Sequence, residues 1–153
     1  MNRTGFVGLA LCLSIATALG QDIPKVDNSG KGAVLCAEMI LLDTIAITKA
    51  CKWDRVATDD VIDAAVKDID AFVIANSRSP VTQTELDQQE AAYMSRSASL
   101  VVAQPEQCKV DPEDNTSGFT VSWQLRQMTP LATKAWIKDL LSIPREPLLN
   151  PCL

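Results

Sequence analysis

The chain contains no histidine, and that one absence removes most of the ways a small protein performs acid–base or nucleophilic chemistry. A Ser-His-Asp or Cys-His machine cannot be assembled, and the side chain that most often serves as general base is missing. Zinc is disfavoured for the same reason, since no two cysteines are spaced as C-x-x-C and no imidazole completes a ligand set. Gly30 and Gly32 follow no strand pattern, so no phosphate-cradling loop is formed. Carboxylates remain. Two acids held several ångströms apart in a cleft can hydrolyse glycosidic bonds, and the best candidates are Glu38 and Asp43. Their spacing puts them about 140° apart on a helix, facing different sides. Neither catalysis, a metal nor an organic cofactor is expected.

Asp43 is the acid that stands out, because it interrupts the apolar stretch 36-CAEMILLDTIAITKAC-51. On a helix it is flanked by Cys36, Met39, Ile40, Ala46, Ile47 and Ala50. A carboxyl in such surroundings either has a raised pKa put to functional use or is a buried acid satisfied by backbone N–H groups, a hydroxyl or a basic partner such as Arg126 or Lys134. The second reading is preferred, since one acid without a second catalytic group explains no reaction. Trp53, Trp123 and Trp136 are candidates for lining a ligand pocket, but core packing is the commoner use of such residues.

The cysteines carry the remaining covalent chemistry. Residues 1–20 combine Arg3, an apolar run from Phe6 to Leu19, and small residues at Ala18 and Gly20, which together read as a secretory signal peptide cleaved after Gly20. Cys12 leaves with that segment. Cys36, Cys51, Cys108 and Cys152 remain, and an even number in an exported chain reads as two disulfides. The formal charge of the full chain is −5, and it becomes more negative once Arg3 is lost. An acidic surface argues against nucleic acid or anionic lipid as a partner and is compatible with binding a basic protein.

The elements that position these residues are helical. Residues 21–32 hold Pro24, Asn28, Gly30 and Gly32 with few apolar side chains and read as a flexible lead-in. A first helix over 33–53 is apolar on most of its circumference, the mark of a helix touched on several sides. Glu38 and Asp43 interrupt its apolar run, which is too short for a membrane span. A second helix over 58–76, capped by Thr58, carries Val61, Ile62, Ala65, Val66, Ile69, Phe72 and Val73 on one face. Asp59, Asp60, Asp63, Lys67 and Asp70 on its other face read as a solvated surface, because a calcium loop needs a glycine-bearing turn. Thr82 and Glu85 form a capping box for a thinly apolar, peripheral third helix over 83–102. After a loop over 103–118, Phe119, Val121 and Trp123 alternate with polar residues and leave helix and strand both open. Thr129-Pro130 starts a last helix to residue 142, and the proline-rich tail 143–153 lies across the surface.

A helix is also a ruler. Cys36 and Cys51 would stand about 22 Å apart on the first helix, and a disulfide tolerates Cα atoms only within about 7 Å. They cannot pair with each other. An up-down-up-down arrangement brings Cys108 to Cys51 and Cys152 to Cys36, so the expected fold is all-α: one domain over 33–153, about four helices stapled by Cys51–Cys108 and Cys36–Cys152. Such a chain is expected to be periplasmic or secreted and to act without catalysis by binding another exported protein. Its rivals are a carrier of a small apolar ligand between helices and, last, a carboxylate hydrolase of the envelope. In format, being exported, acidic, small, helical and disulfide-stapled, it resembles bacterial periplasmic immunity proteins, and that resemblance implies an inhibitor of a toxin.

Overall fold

A computed structural model describes residues 25–113 and 117–152; the expected signal peptide lies outside these residues. Five α-helices follow one another: α1 (Val34–Ala50), α2 (Ala57–Asn76), α3 (Gln83–Ala103), α4 (Gly118–Gln127) and α5 (Pro130–Leu140), with a 3-10 turn at Pro105–Cys108 between α3 and α4. The described residues form no strand, only an isolated parallel bridge between Val26 and Asn150. No helix among them is long and apolar enough to cross a membrane.

The apolar circumference of α1 has the predicted consequence, since α2, α3 and α4 all lie against it. Val34, Ala37, Leu41 and Leu42 meet Ile62, Ala65, Ile69 and Val73 of α2, with Leu86, Leu125, Ile137 and Leu140 closing the core from the other helices. Leu41 and Ile69 are fully buried, each contributing roughly 1.5–3 kcal/mol from removal of apolar surface from water. At the far end of α1, Ile47, Val101 and Phe119 form a second cluster with Trp53 packed on it.

Local signals start most helices. Thr82 accepts from the Glu85 N–H and the Glu85 carboxylate accepts from the Thr82 N–H at 2.8 Å, completing the capping box of α3. Thr129 caps α5 by accepting from Ala132 N–H at 3.2 Å, with Pro130 at the first helical position. The start of α2 differs from expectation. Val56 precedes the helix, the Asp59 carboxylate accepts from the Val56 N–H at 2.8 Å, and Thr58 instead donates its hydroxyl to the Met128 carbonyl at 2.6 Å. Thr58 is thus a buried tie between α2 and the end of α4. The acidic face of α2 is also less solvated than expected, because Asp59 and Asp70 are buried.

Residues 119–124 are helical. Ser117 caps α4 by accepting from the Phe119 N–H at 3.2 Å, and the helix buries Phe119, Ser122, Leu125 and Arg126. Arg126 does not meet Asp43. Its guanidinium forms a two-pronged pair with Asp59, Nε to Oδ1 at 2.7 Å and Nη2 to Oδ2 at 3.0 Å, donates to the Asp54 carbonyl, and lies 5.4 Å from the centre of the Trp53 ring. Burial alone would push the Asp59 carboxyl up, but the Arg126 bonds and charge together with the Val56 N–H outweigh it and hold it below the usual carboxylate range.

Both disulfides join the pairs reached by elimination: Cys36–Cys152, with Cα atoms 5.2 Å apart, and Cys51–Cys108, at 5.5 Å. The first holds the tail across the start of α1, where the Leu35 N–H donates to Leu148 O at 3.0 Å. Residues 25–32 are tied to the same tail. Arg145 reaches Asp27 Oδ2 at 2.7 Å and the Gly32 carbonyl at 2.7 Å, and the Asp27 N–H donates to Asn150 O at 2.7 Å.

Candidate functional site

Asp43 is half-buried between α1 and α3 and is satisfied by hydroxyls, one of the three alternatives its sequence context offered. Tyr93 donates to Oδ2 at 3.0 Å and Ser97 to Oδ1 at 2.5 Å. Tyr93 and Ser97 stand four residues apart on α3, so both project from one face toward α1. Lys134 of α5 is exposed elsewhere and takes no part. Burial first, and then the charge of Asp43, push the Tyr93 hydroxyl up to about 12, so at neutral pH it remains a donor. Asp43 and Ser97 edge a cleft of about 620 Å³ closed on its other side by Phe119 and Lys109.

Tyr93 also belongs to a second depression. A groove of about 570 Å³ runs between α1, α3, the end of α2 and the tail, walled by Leu35, Met39, Leu42, Leu86, Tyr93 and Leu149. Apolar side chains at three- and four-residue steps along α1 make one wall. The Cys36–Cys152 disulfide and the Leu35–Leu148 bond fix the tail as the opposite rim. Arg96 lies over the Tyr93 ring at 5.8 Å and supplies a cationic point at the edge. The hydrogen bond to Asp43 therefore sets the position of an aromatic wall: Asp43 acts on the groove through Tyr93.

The groove's polar floor is Glu38 and Glu90. Glu38 and Asp43 face different clefts, as their helical spacing requires, so the carboxylate pair considered from sequence is not formed. Glu38 has other neighbours: oxygens of Glu38, Asp70 and Glu90, one acid from each of α1, α2 and α3, lie within 4.8 Å of one another. Burial, followed by the charge of Asp70, pushes the Glu38 carboxyl up to about 7. Burial first, then the adjoining Asp70 carboxyl and the charges of Asp70, Glu38 and Asp87, push the Glu90 carboxyl up to about 8.

None of the tryptophans walls either cleft. Trp53 is fixed by donating its indole N–H to the Cys108 carbonyl at 3.2 Å, and Trp136 packs against the main core. Sequence reasoning passed over Arg96 and Glu90, gave Tyr93 no role at the site and placed Asp70 on a solvated face. The Tyr93/Ser97 spacing was a usable signal for Asp43, since two hydroxyls on one helical face form a ready pair of donors. Asp70 and Glu90 carried no comparable local signal.

No family model matches the chain, and no curated protein or solved structure matches it.

Proposed function

We propose that this is an exported, non-enzymatic binding protein whose groove between α1, α3 and the tail receives an apolar segment of another exported protein. The observation that carries this reading is the groove itself: open to solvent, apolar along both walls, and held in shape by a disulfide and a half-buried hydrogen bond. A helix or extended segment laid into such a groove gains its affinity from buried side chains and its register from a few polar points, here Arg96 at the rim and the acids of the floor. The acidic chain suits a basic partner, and two disulfides suit the periplasm or the extracellular space. Inhibition of a toxin is one form such binding takes.

A volume of about 570 Å³ also lies in the range of small-molecule sites, which keeps a carrier of an apolar ligand as the second reading. A photo-reactive phenylalanine placed at Leu149, on the groove rim, separates the two. In extracts of the native compartment it should give a discrete adduct with one protein, while the same group at Leu131, exposed on α5, should not. No adduct at Leu149, together with a lipid retained by the purified protein in native mass spectrometry, would replace the protein binder with the carrier.

A further inference from the structure

Three acids from three helices converge where a folded interior ordinarily tolerates one. Glu38 is 8% exposed and Asp70 3% exposed. Glu38 receives no hydrogen bond and no ion pair from any described residue. Asp70 uses Oδ2 to accept from Gln83 Nε2 at 2.7 Å, but its Oδ1 is buried without a donor, and so is Oε1 of Glu90. One carboxylate oxygen from each of Glu38, Asp70 and Glu90 lies within 4.8 Å of the other two. Isolated carboxylates buried in this way cost several kcal/mol each unless something positive joins them, and no described lysine or arginine does.

We infer that Glu38, Asp70 and Glu90 form a binding site for one divalent cation of the hard, oxygen-seeking kind, with calcium the best fit. The donor set is entirely carboxylate, which suits calcium, magnesium or manganese rather than zinc or copper. Two oxygens on one ion stand at most twice the ion–oxygen distance apart. At about 2.4 Å for calcium that limit is about 4.8 Å, and the three carboxylate oxygens lie within it. Three carboxylates offer up to six oxygens, and calcium takes six to eight. Solvent reaches the cluster from both sides, because Glu90 lines the apolar groove and also the cleft beyond it that holds Asp70, Gln83 and Asp87. The burial that drives the Glu38 and Glu90 carboxyls toward their neutral forms in the metal-free protein is the same cost that a bound cation removes. The ion would tie α1, α2 and α3 together under the groove floor, whether or not the groove holds a partner.

The test is calorimetric titration of the chelator-treated, disulfide-intact protein with calcium chloride at pH 8, repeated with magnesium and manganese. One ion should bind per chain with calcium preferred, and the thermal midpoint should rise with calcium concentration, as linkage requires. Glu38→Gln and Glu90→Gln should each weaken calcium by about tenfold or more through loss of a charged ligand, while Asp68→Asn, on the exposed side of α2, should leave it unchanged. Circular dichroism checks that each variant is folded, and a variant that is not is replaced by Asp70→Asn. Absence of saturable binding of all three ions to the wild-type protein would overturn the site, as would binding that Glu38→Gln and Glu90→Gln leave intact; protons would then be what neutralises the cluster.

Discussion

Tyr93 on α3 donates its hydroxyl to Asp43 on α1 across 3.0 Å, and this bond joins an acid of the apolar stretch 36–51 to the aromatic wall of the groove. Tyr93 is the chain's only tyrosine, so the bond has a spectroscopic reporter. Absorbance titration of the folded protein should show a single phenol ionising far above the usual tyrosine value, pushed up to about 12 by burial and the Asp43 charge. Asp43→Asn should bring that midpoint down, because the like charge is gone while the burial remains. An unchanged midpoint would mean that Asp43 does not govern the groove wall.

The same contact carries stability. Tyr93→Phe keeps the ring and loses the donor, and should cost about 1 kcal/mol in urea unfolding, the usual net worth of a hydrogen bond. Asp43→Ala should cost more, about 1–3 kcal/mol, because it leaves the Tyr93 hydroxyl without its acceptor and Ser97 with only the Tyr93 carbonyl at 3.3 Å.

Arg126 and Asp59 are predicted to govern the acid limb of stability. Their side chains are 4% and 9% exposed, and removing one partner of a buried pair leaves the other charge uncompensated. Arg126→Leu or Asp59→Ala should therefore destabilise by about 3–5 kcal/mol. The Asp59 carboxyl sits below its unfolded value, so its contribution is fully present above the unfolded carboxylate pKa and disappears as pH falls through the folded one. Acid unfolding should begin at higher pH in Asp59→Asn than in the wild-type protein.

Much of this arrangement could be read from the residues. Caps and periodicity marked α3 and α5, and the apolar circumference of α1 announced its central place. The rigidity of a helix excluded a Cys36–Cys51 bond before any coordinates were known. The limits lie where the deciding partner is distant in sequence. Phe119, Val121 and Trp123 fit a period of two, and only the burial of Ser122, Leu125 and Arg126 against α1 and α2 makes the segment helical. Thr58 resembled a cap because the carbonyl it actually bonds, at Met128, is 70 residues away. Asp59 and Asp70 looked solvated for the same reason: Arg126 and Gln83 come from other helices. Asp43 was legible as a satisfied acid, but its donors depended on how α3 is rotated against α1.

The disulfides divide stability from binding. They span 116 and 57 residues, and each should contribute about 4–5 kcal/mol by the chain-entropy relation. Replacing Cys51 and Cys108 by serine should lower the thermal midpoint and leave partner capture intact below it. Replacing Cys36 and Cys152 should lower the midpoint comparably and also release the tail that forms the groove rim, so capture should be lost even while the helices stay folded by circular dichroism.

The central claim is that the groove is a protein-binding surface, and the most direct measurement is capture of one identified partner by three forms of the protein. Leu149→Asp puts a charge on the apolar rim at a residue already 43% exposed, and Leu131→Asp does the same at a residue 78% exposed on α5, so neither should disturb folding. The account predicts that the wild-type protein and Leu131→Asp hold the partner equally and that Leu149→Asp loses it at least about tenfold, the effect of some 1.4 kcal/mol of lost apolar contact. Equal capture by all three forms would contradict it.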